Sequence, residues 1–276
     1  MRTEPLPVTA RFASVTNSQR RSLAQIYWLQ FKYELIKQLR IPFSWVGTVV
    51  FPLGFYSIFG LIFSSGTEGA DLDPMISASY LANYGAFGVM GVALFSFGVG
   101  VATERGQGWL RLSRATPMPP MAYFTAKIGA SIVFSTFSLL SLFLGGLLVG
   151  GVRMPITLWL GLFLTLLIGS LPFCALGLVL GYAAGPNSAP ILANLIYLPV
   201  AIVSGLWVPI EFLPTFLQRI ALFLPAYHYA QLAQITLGTD QGRSIWFHLA
   251  ALLTFTAVCL TLAVFLYRRD DGKTYG

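Results

Sequence analysis

Six apolar runs, none containing Asp, Glu, Lys or Arg, constrain this chain more than any other feature of it. They occupy residues 42–63, 81–101, 128–150, 156–182, 191–208 and 246–267. A helix crosses the hydrocarbon core of a bilayer with about 20 residues at ~1.5 Å rise each. Every run is close to that length or above it, and the fourth is long enough to tilt. Only 10% of the residues are charged, against about a quarter in an ordinary soluble domain. So few charges cannot coat the surface of a 276-residue globule, and lipid must be its main solvent. The expected fold is all-α: a polytopic membrane protein with six transmembrane helices.

Charge placement gives the sidedness. Of the 17 Lys and Arg residues, all but Arg153, Arg219 and Arg243 fall in the first 40 residues, in the loop between the second and third runs, or after residue 267. Basic residues stay on the cytoplasmic side of short loops, so both termini are expected there, in agreement with an even number of spans. The formal net charge of +7 thus reads as a topology signal, and no nucleic acid is implied. The expected organisation is a basic cytoplasmic arm over 1–40, a six-span domain over 41–269 and a cytoplasmic tail over 270–276. Arg20-Arg21 has the look of a twin-arginine export signal, but the first apolar run begins about twenty residues later with no small-residue cleavage site after it.

Two segments outside the runs have helical patterning. Over 23–40, Tyr27, Trp28, Phe31, Leu35 and Leu39 share one broad sector, with Gln30, Glu34 and Lys37 opposite. This fits an interfacial helix with aromatic anchors and a polar face, or a plain juxtamembrane anchor. Over 209–236, apolar residues Leu213, Phe216, Leu217, Ile220 and Leu224 follow helical spacing. Pro209, Pro214 and Pro225 interrupt that stretch, which also carries Glu211, Arg219 and His228. Short re-entrant helices at the outer interface, or a structured outer loop, both satisfy this pattern.

Candidate chemistry is sparse. Burying an ionisable group in a span is costly and usually functional, yet the spans offer no carboxylate or histidine relay. Glu104 and Lys127 border their spans, where roles as interface anchors suffice. Gly272-Lys273-Thr274 resembles the end of a phosphate-binding loop, but Tyr267 stands where its first glycine belongs. No enzyme activity, cofactor or metal site is expected; Cys174 and Cys259 read as helix-packing residues. Small-residue pairs at Gly146/Gly150, Gly177/Gly181 and Gly181/Gly185 allow close helix approach, within one subunit or between two. Ser135, Thr165, Asn194 and Tyr197 are candidates for lining a path or for joining helices.

The loop over 102–127 contains Glu104, Arg105, Trp109, Leu110, Arg111, Leu112, Arg114, Thr116 and Pro117. Arg111 and Arg114 share a helical face, Trp109 and Leu112 another, and Pro117 ends the helix. This segment resembles the cytoplasmic loop Glu-Arg-x-x-Gly-Thr-Leu-Glu-x-Leu-x-x-Thr-Pro of the type-2 membrane subunits of ATP-binding-cassette exporters. Trp109 replaces a small polar residue, and Gly106 and Gly108 bracket the usual glycine. A second match runs through Ser204-Gly205, Pro209, Leu213-Pro214, Leu217, Ile220, Leu224-Pro225 and Tyr229.

The resemblance covers nearly the whole chain. It implies a permease subunit in the bacterial plasma membrane that pairs with a second membrane subunit, identical or similar. Two separate cassette ATPases would dock on the cytoplasmic side, and substrate would move outward. Glu104, Arg105, Trp109, Leu110, Arg111 and Arg114 would form the ATPase-coupling helix, and Pro209, Glu211, Pro214, Pro225 and His228 the outer re-entrant segment. The competing reading is a passive channel or facilitator. The cargo is not named by the sequence.

Overall fold

In the computed structural model, the described residues are 22–40, 49–60, 74–109, 115, 118–239 and 242–269. Every regular element among them is helical. In chain order they are α1 (Leu23–Leu39), α2 (Phe51–Phe55), α3 (Pro74–Ala93), α4 (Gly100–Gly106) and α5 (Pro120–Leu148). There follow α6 (Ile156–Ile168), α7 (Leu171–Ala183), α8 (Ala189–Val203), α9 (Thr215–Ala221), α10 (Pro225–Leu237) and α11 (Ile245–Arg269). A π-helical turn, Tyr56–Gly60, extends α2, and a second, Leu94–Val99, joins α3 to α4.

Four helical stretches are long and apolar enough to cross a membrane: Pro74–Gly106, Met121–Leu148, Ile156–Ala183 and Ile245–Arg269. They cover the second, third, fourth and sixth expected runs. The other two differ from expectation. Of the first run, 42–63, only 49–60 is described. The fifth run yields α8, 15 residues long, because the backbone turns at Ser204 and Gly205 takes φ +81°, a conformation that glycine adopts without a steric penalty. Run ends also shift. The second begins at Pro74 instead of 81, and the third at Pro120 instead of 128. The fourth breaks at Gly169–Ser170, where Pro172 starts α7 near its N-terminus.

The bundle is built around α3. Leu81, Tyr84, Phe87 and Met90 are at most 1% exposed, and only the first turn of the helix, with Met75 and Ile76, is open. Three glycines on it admit three different neighbours. A Cβ at Gly85 would lie 2.7 Å from Leu166 of α6, one at Gly88 2.7 Å from Pro52 of α2, and one at Gly91 2.7 Å from the Tyr197 hydroxyl of α8. That hydroxyl donates to the Phe87 carbonyl at 2.9 Å, about two turns before the π turn. By contrast, α11 leaves Leu253, Val258 and Phe265 exposed. With Leu140 and Leu144 of α5, Leu164 of α6 and Leu195 of α8, these give the lipid-facing surface that a water-soluble monomer would not present.

The Gly177/Gly181 pair packs within the chain. A Cβ at Gly177 would come 2.7 Å from the Phe97 Cβ and 3.1 Å from the Gly98 backbone nitrogen. One at Gly181 would meet the Val101 Cβ at 2.8 Å. Backbone cannot swing aside, so helix α7 and the π turn must separate. Gly177→Val is expected to destabilise the protein by about 1–3 kcal/mol through overpacking. Its thermal midpoint in detergent should fall, whereas Gly54→Ala, with nothing within 4 Å of the new Cβ, should leave that midpoint unchanged or slightly raised.

Candidate functional site

Helix α1 begins with a reciprocal cap. The Ser22 hydroxyl accepts from the Gln25 backbone, and the Gln25 side chain accepts from Ser22 N–H. Its inward side includes the polar sector: Glu34 and Gln38 are buried at 6% and 8%, while Trp28 and Leu39 of the aromatic sector are exposed. Phe31, Glu34 and Gln38 share a face through their three- and four-residue spacings. The Phe31 ring lies over Gly129 of α5, so close that a Cβ there would meet it at 2.9 Å. The polar side of the helix therefore packs inward, because its partners are charged.

Those partners form a cluster of four alternating charges. Lys127 of α5, only 1% exposed, places its Nζ 3.0 Å from Glu34 Oε1 and 3.0 Å from Glu104 Oε1. Lys37 Nζ lies 2.8 Å from Glu34 Oε2 and also pairs with Glu104. The Tyr123 hydroxyl donates to Glu104 Oε2, and Gln38 donates to Glu34 at 3.3 Å. Burial pushes the Glu34 carboxyl up, but the Lys127 and Lys37 charges outweigh it and hold it below its ordinary value. Burial likewise opposes charge on Lys37, and Glu104 and Glu34 overcome it, so its ammonium is held above the ordinary value. Glu104 and Lys127 are thus linked to each other and to α1. Read from the sequence they had separate roles as interface anchors; the partner that binds them together, Glu34, lies 93 residues from Lys127.

Arg105, next in the chain, meets a different neighbour, the end of α7. Its guanidinium donates to the Tyr182 carbonyl and, at 2.8 Å, to the Ala184 carbonyl. These carbonyls close the C-terminal end of α7, where intrahelical donors run out and the helix dipole favours a cation. Arg105 is 9% exposed. Adjacent Glu104 and Arg105 therefore fasten the base of the loop to α1, α5 and α7 at once.

Beyond that base the chain reaches outward. Gly106 packs so tightly on Pro186 that a side chain could not fit between them, and Gly108 has φ +78°. Trp109 is 60% exposed. Leu110, Arg111 and Arg114 lie outside the described residues. The expected coupling set is therefore divided: Glu104 and Arg105 point into the protein, and Trp109 points out of it.

At the other end of the bundle, the three prolines each stand where a helix begins. Pro209 and Pro214 precede the short 3₁₀ turn Ile210–Phe212 and α9, and Pro225 is the first residue of α10. Glu211 is exposed. His228 donates from Nε2 to the Leu222 carbonyl at 3.0 Å, which leaves its Nδ1 to accept from His248 Nδ1 of α11 at 3.0 Å. Burial holds His228 below its ordinary value, opposed by the Leu222 bond and aided by the Arg243 charge. His248 lies in the last apolar run, and nothing in the sequence pairs it with His228. Of the polar span residues, Thr165 bonds Thr236 at 3.1 Å and Asn194 donates to the Pro190 carbonyl at 3.0 Å. With the Tyr197 bond above, they join helices or cap local backbone.

Removing one member of a buried ion cluster strands its partners and costs about 3–5 kcal/mol. Lys127→Met is expected to destabilise the protein in that range, measured by thermal unfolding in detergent, and to loosen α1, measured by hydrogen exchange of its amides. The pH dependence has a definite sign. Glu34 is held low in the fold, so its contribution is present above the ordinary 4.5 and is lost as pH falls through the folded value. Lys37 is held high, so its contribution is present below the ordinary 10.5 and is lost as pH rises through the folded value. Protection of α1 should be flat near neutrality and fall at both extremes, and Glu34→Gln should blunt the acid limb.

Comparison with known proteins places this architecture. The chain is 27% identical over 240 residues to "Putative transport permease YvfS" of Bacillus subtilis (strain 168), covering 87% of this chain and 96% of that protein. It is 26% identical over 194 residues to "Probable multidrug ABC transporter permease YbhR" of Escherichia coli (strain K12), covering 69% of this chain and 51% of that one. "Inner membrane transport permease YhhJ" of the same organism is 28% identical over 187 residues, covering 66% and 49%. The chain thus spans nearly all of the Bacillus relative and about half the length of the two from E. coli. The ABC-2 type transporter family matches residues 25–238, from the first turn of α1 to the glycine that ends α10, and the chain is a multi-pass membrane permease that belongs to that family.

Proposed function

We propose that this chain is the membrane-spanning subunit of an ATP-binding-cassette exporter, moving its cargo outward with ATP hydrolysed by separate ATPase subunits. Family membership implies a cassette partner; the finer reading rests on one observation, the clamped base of the loop that follows α4. A loop that receives force must be stiff where it joins the bundle. Glu104 and Arg105 supply that stiffness as positioning residues, tied to α1, α5 and α7. Trp109, exposed at 60%, together with Leu110, Arg111 and Arg114, then forms the surface offered to an ATPase groove. An exposed tryptophan beside arginines is the composition of an interface hot spot.

In this reading the protein has six spans, with the first and fifth apolar runs crossing alongside the four long helices. Both termini, α1 and the charged cluster face the cytoplasm. The segment 209–236, with Pro209, Glu211, Pro214, Pro225 and His228, lies at the outer interface. Two copies of the chain, or this chain and a similar one, pair in the membrane over two ATPases. Closure of the ATPases would press on both loops and rock the spans to which Glu104 and Arg105 are fixed.

The test is purification of the tagged protein from its native membrane in mild detergent, with partners identified by mass spectrometry. A cassette ATPase should co-purify. Trp109→Ala should weaken its retention about tenfold or more, as loss of a hot-spot contact of about 2 kcal/mol requires, with no change in thermal midpoint. A stable, folded preparation that never retains an ATPase, and moves solute without ATP, would overturn the proposal.

A further inference from the structure

The sequence contains two histidines, and the fold brings both to one point. His228 stands in the first turn of α10 and His248 in the first turn of α11, at 4% and 1% exposure. Their Nδ1 atoms face each other at 3.0 Å, with 5.2 Å between ring centroids. On its other side, His228 gives its Nε2–H to the Leu222 carbonyl at 3.0 Å. Leu222 caps the C-terminal end of α9, where carbonyls lack intrahelical donors. One ring thus ties the end of α9, the start of α10 and the start of α11 together. An apolar pair would pack there as well, and an amide pair would hydrogen-bond at every pH. What two imidazoles add is the capacity to take up protons.

Proton counting gives the states in which the tie holds. The Leu222 bond keeps a proton on His228 Nε2, so in the neutral pair His248 donates the one proton that lies between the Nδ1 atoms. One proton added to the pair leaves this intact, because a single proton still lies between them. A second places an N–H on each Nδ1, and two donors of like charge then face each other with no acceptor between. The surroundings oppose that second charge. Arg243, whose guanidinium lies 5.4 Å over the Phe247 ring, acts on His228 and on Tyr227. Tyr227 of α10 packs 5.3 Å from the His228 ring and 6.0 Å from the His248 ring. Glu211 of the 3₁₀ turn acts on Tyr227 and on Tyr80 of α3, and it is exposed, as is Arg219 of α9. Helix α6 carries no titratable residue.

We propose that the two histidines form a proton-operated latch, which fastens α9 and the start of α10 to α11 and releases them when the pair takes up its second proton. Release is local. Farther along α10, the Tyr229 hydroxyl donates to the Leu166 carbonyl of α6, and Gln234 donates to Asn83 of α3 at 2.9 Å. The segment therefore swings at its Pro225 end while the rest of α10 stays bound. The sign follows from His228, which burial holds below its ordinary 6.5. The latched state is fully favoured above that value and weakens as pH falls below it, through the folded value. That the latch faces the cell exterior rests on the proposed orientation; the latch itself does not.

The test uses the whole chain in lipid nanodiscs, purified through a tag without histidine, so that ¹⁵N-histidine labelling reports on this pair alone. The imidazole nitrogens, followed by solid-state NMR, should titrate in two separate steps, as coupled groups do. Hydrogen exchange of the amides of α9 and the first turn of α10, referenced to those of α6 in the same sample, should quicken about tenfold between about pH 7.5 and about pH 5, the effect of losing roughly one hydrogen bond. His248→Gln should remove that pH dependence, because its amide either donates to His228 Nδ1 or accepts from it. His228→Gln should do the same, with His248 facing the amide, and serves if the first variant does not fold. Exchange in the wild type that ignores pH would overturn the proposal. So would equal acid quickening in a folded glutamine variant, or two rings titrating in one step as independent groups. Neither measurement involves an ATPase or a cargo, so its outcome is separate from whether an ATPase co-purifies.

Discussion

The arrangement depends on one neutral cluster of charges, Glu34, Lys37, Glu104 and Lys127, in which Lys127 and Glu34 are buried and Lys37 is open at one side. Each charge alone would be expensive to take from water, by several kcal/mol even after relaxation. Two acids alternating with two bases remove that cost only if all four stay in place, with Tyr123 and Gln38 supplying further hydrogen bonds to the carboxylates. The cluster therefore behaves as a single joint. It fixes an N-terminal helix that would otherwise only float on a lipid surface, and it fixes the exit of the central helix that leads into the loop. Arg105 adds the third attachment through the end of α7. Helix α1 is thus held on α5 by electrostatics together with the close packing of Phe31 on Gly129.

Much of the fold was legible because the bilayer imposes a length. Runs without charge had to be spans or parts of spans, and four of the six appear as full-length helices. The prolines at 209, 214 and 225 were legible as breaks in that stretch, since proline does not fit a helix interior, and the structure puts each of them at the start of a short element. What escaped the sequence is whatever needs a distant partner. The inward turn of Glu104 requires Lys127 and Lys37, and that of Arg105 requires carbonyls 77 and 79 residues away. Helical periodicity ranked Glu34 on the solvent side of α1, because periodicity sees only the residue's own polarity and not the lysine waiting opposite. The π turn at Leu94–Val99 has no signature in a run of apolar residues.

One continuous helix joins the two polar regions. From Pro74 to Gly106 it has 33 residues, about 50 Å at 1.5 Å each, which exceeds the ~30 Å hydrocarbon core. Ser79, Tyr80 and Asn83 sit near one end of it, and Glu104 and Arg105 at the other. Irregular backbone after α8 can exist beside it only because its carbonyls find donors on this helix, from Asn83 to Gly205 and from the Tyr84 hydroxyl to Trp207 at 3.0 Å. This meets the rule that non-helical backbone at membrane depth must be satisfied by protein or water.

The two ends of that helix differ in what it costs to rearrange them. Opening the charged joint breaks ion pairs of the buried Lys127 and Glu34, which cost about 3–5 kcal/mol when one partner is lost. Exchanging a neutral amide or hydroxyl bond for one to water changes the energy by about 0.5–1.5 kcal/mol, and the cavity of about 330 Å³ beside Asn83 and Ser204 offers the space to do so. Under the proposed coupling role, force received by the loop would meet the costlier rearrangement first and the cheaper one at the amide-lined end. The π turn Leu94–Val99 lies between the two.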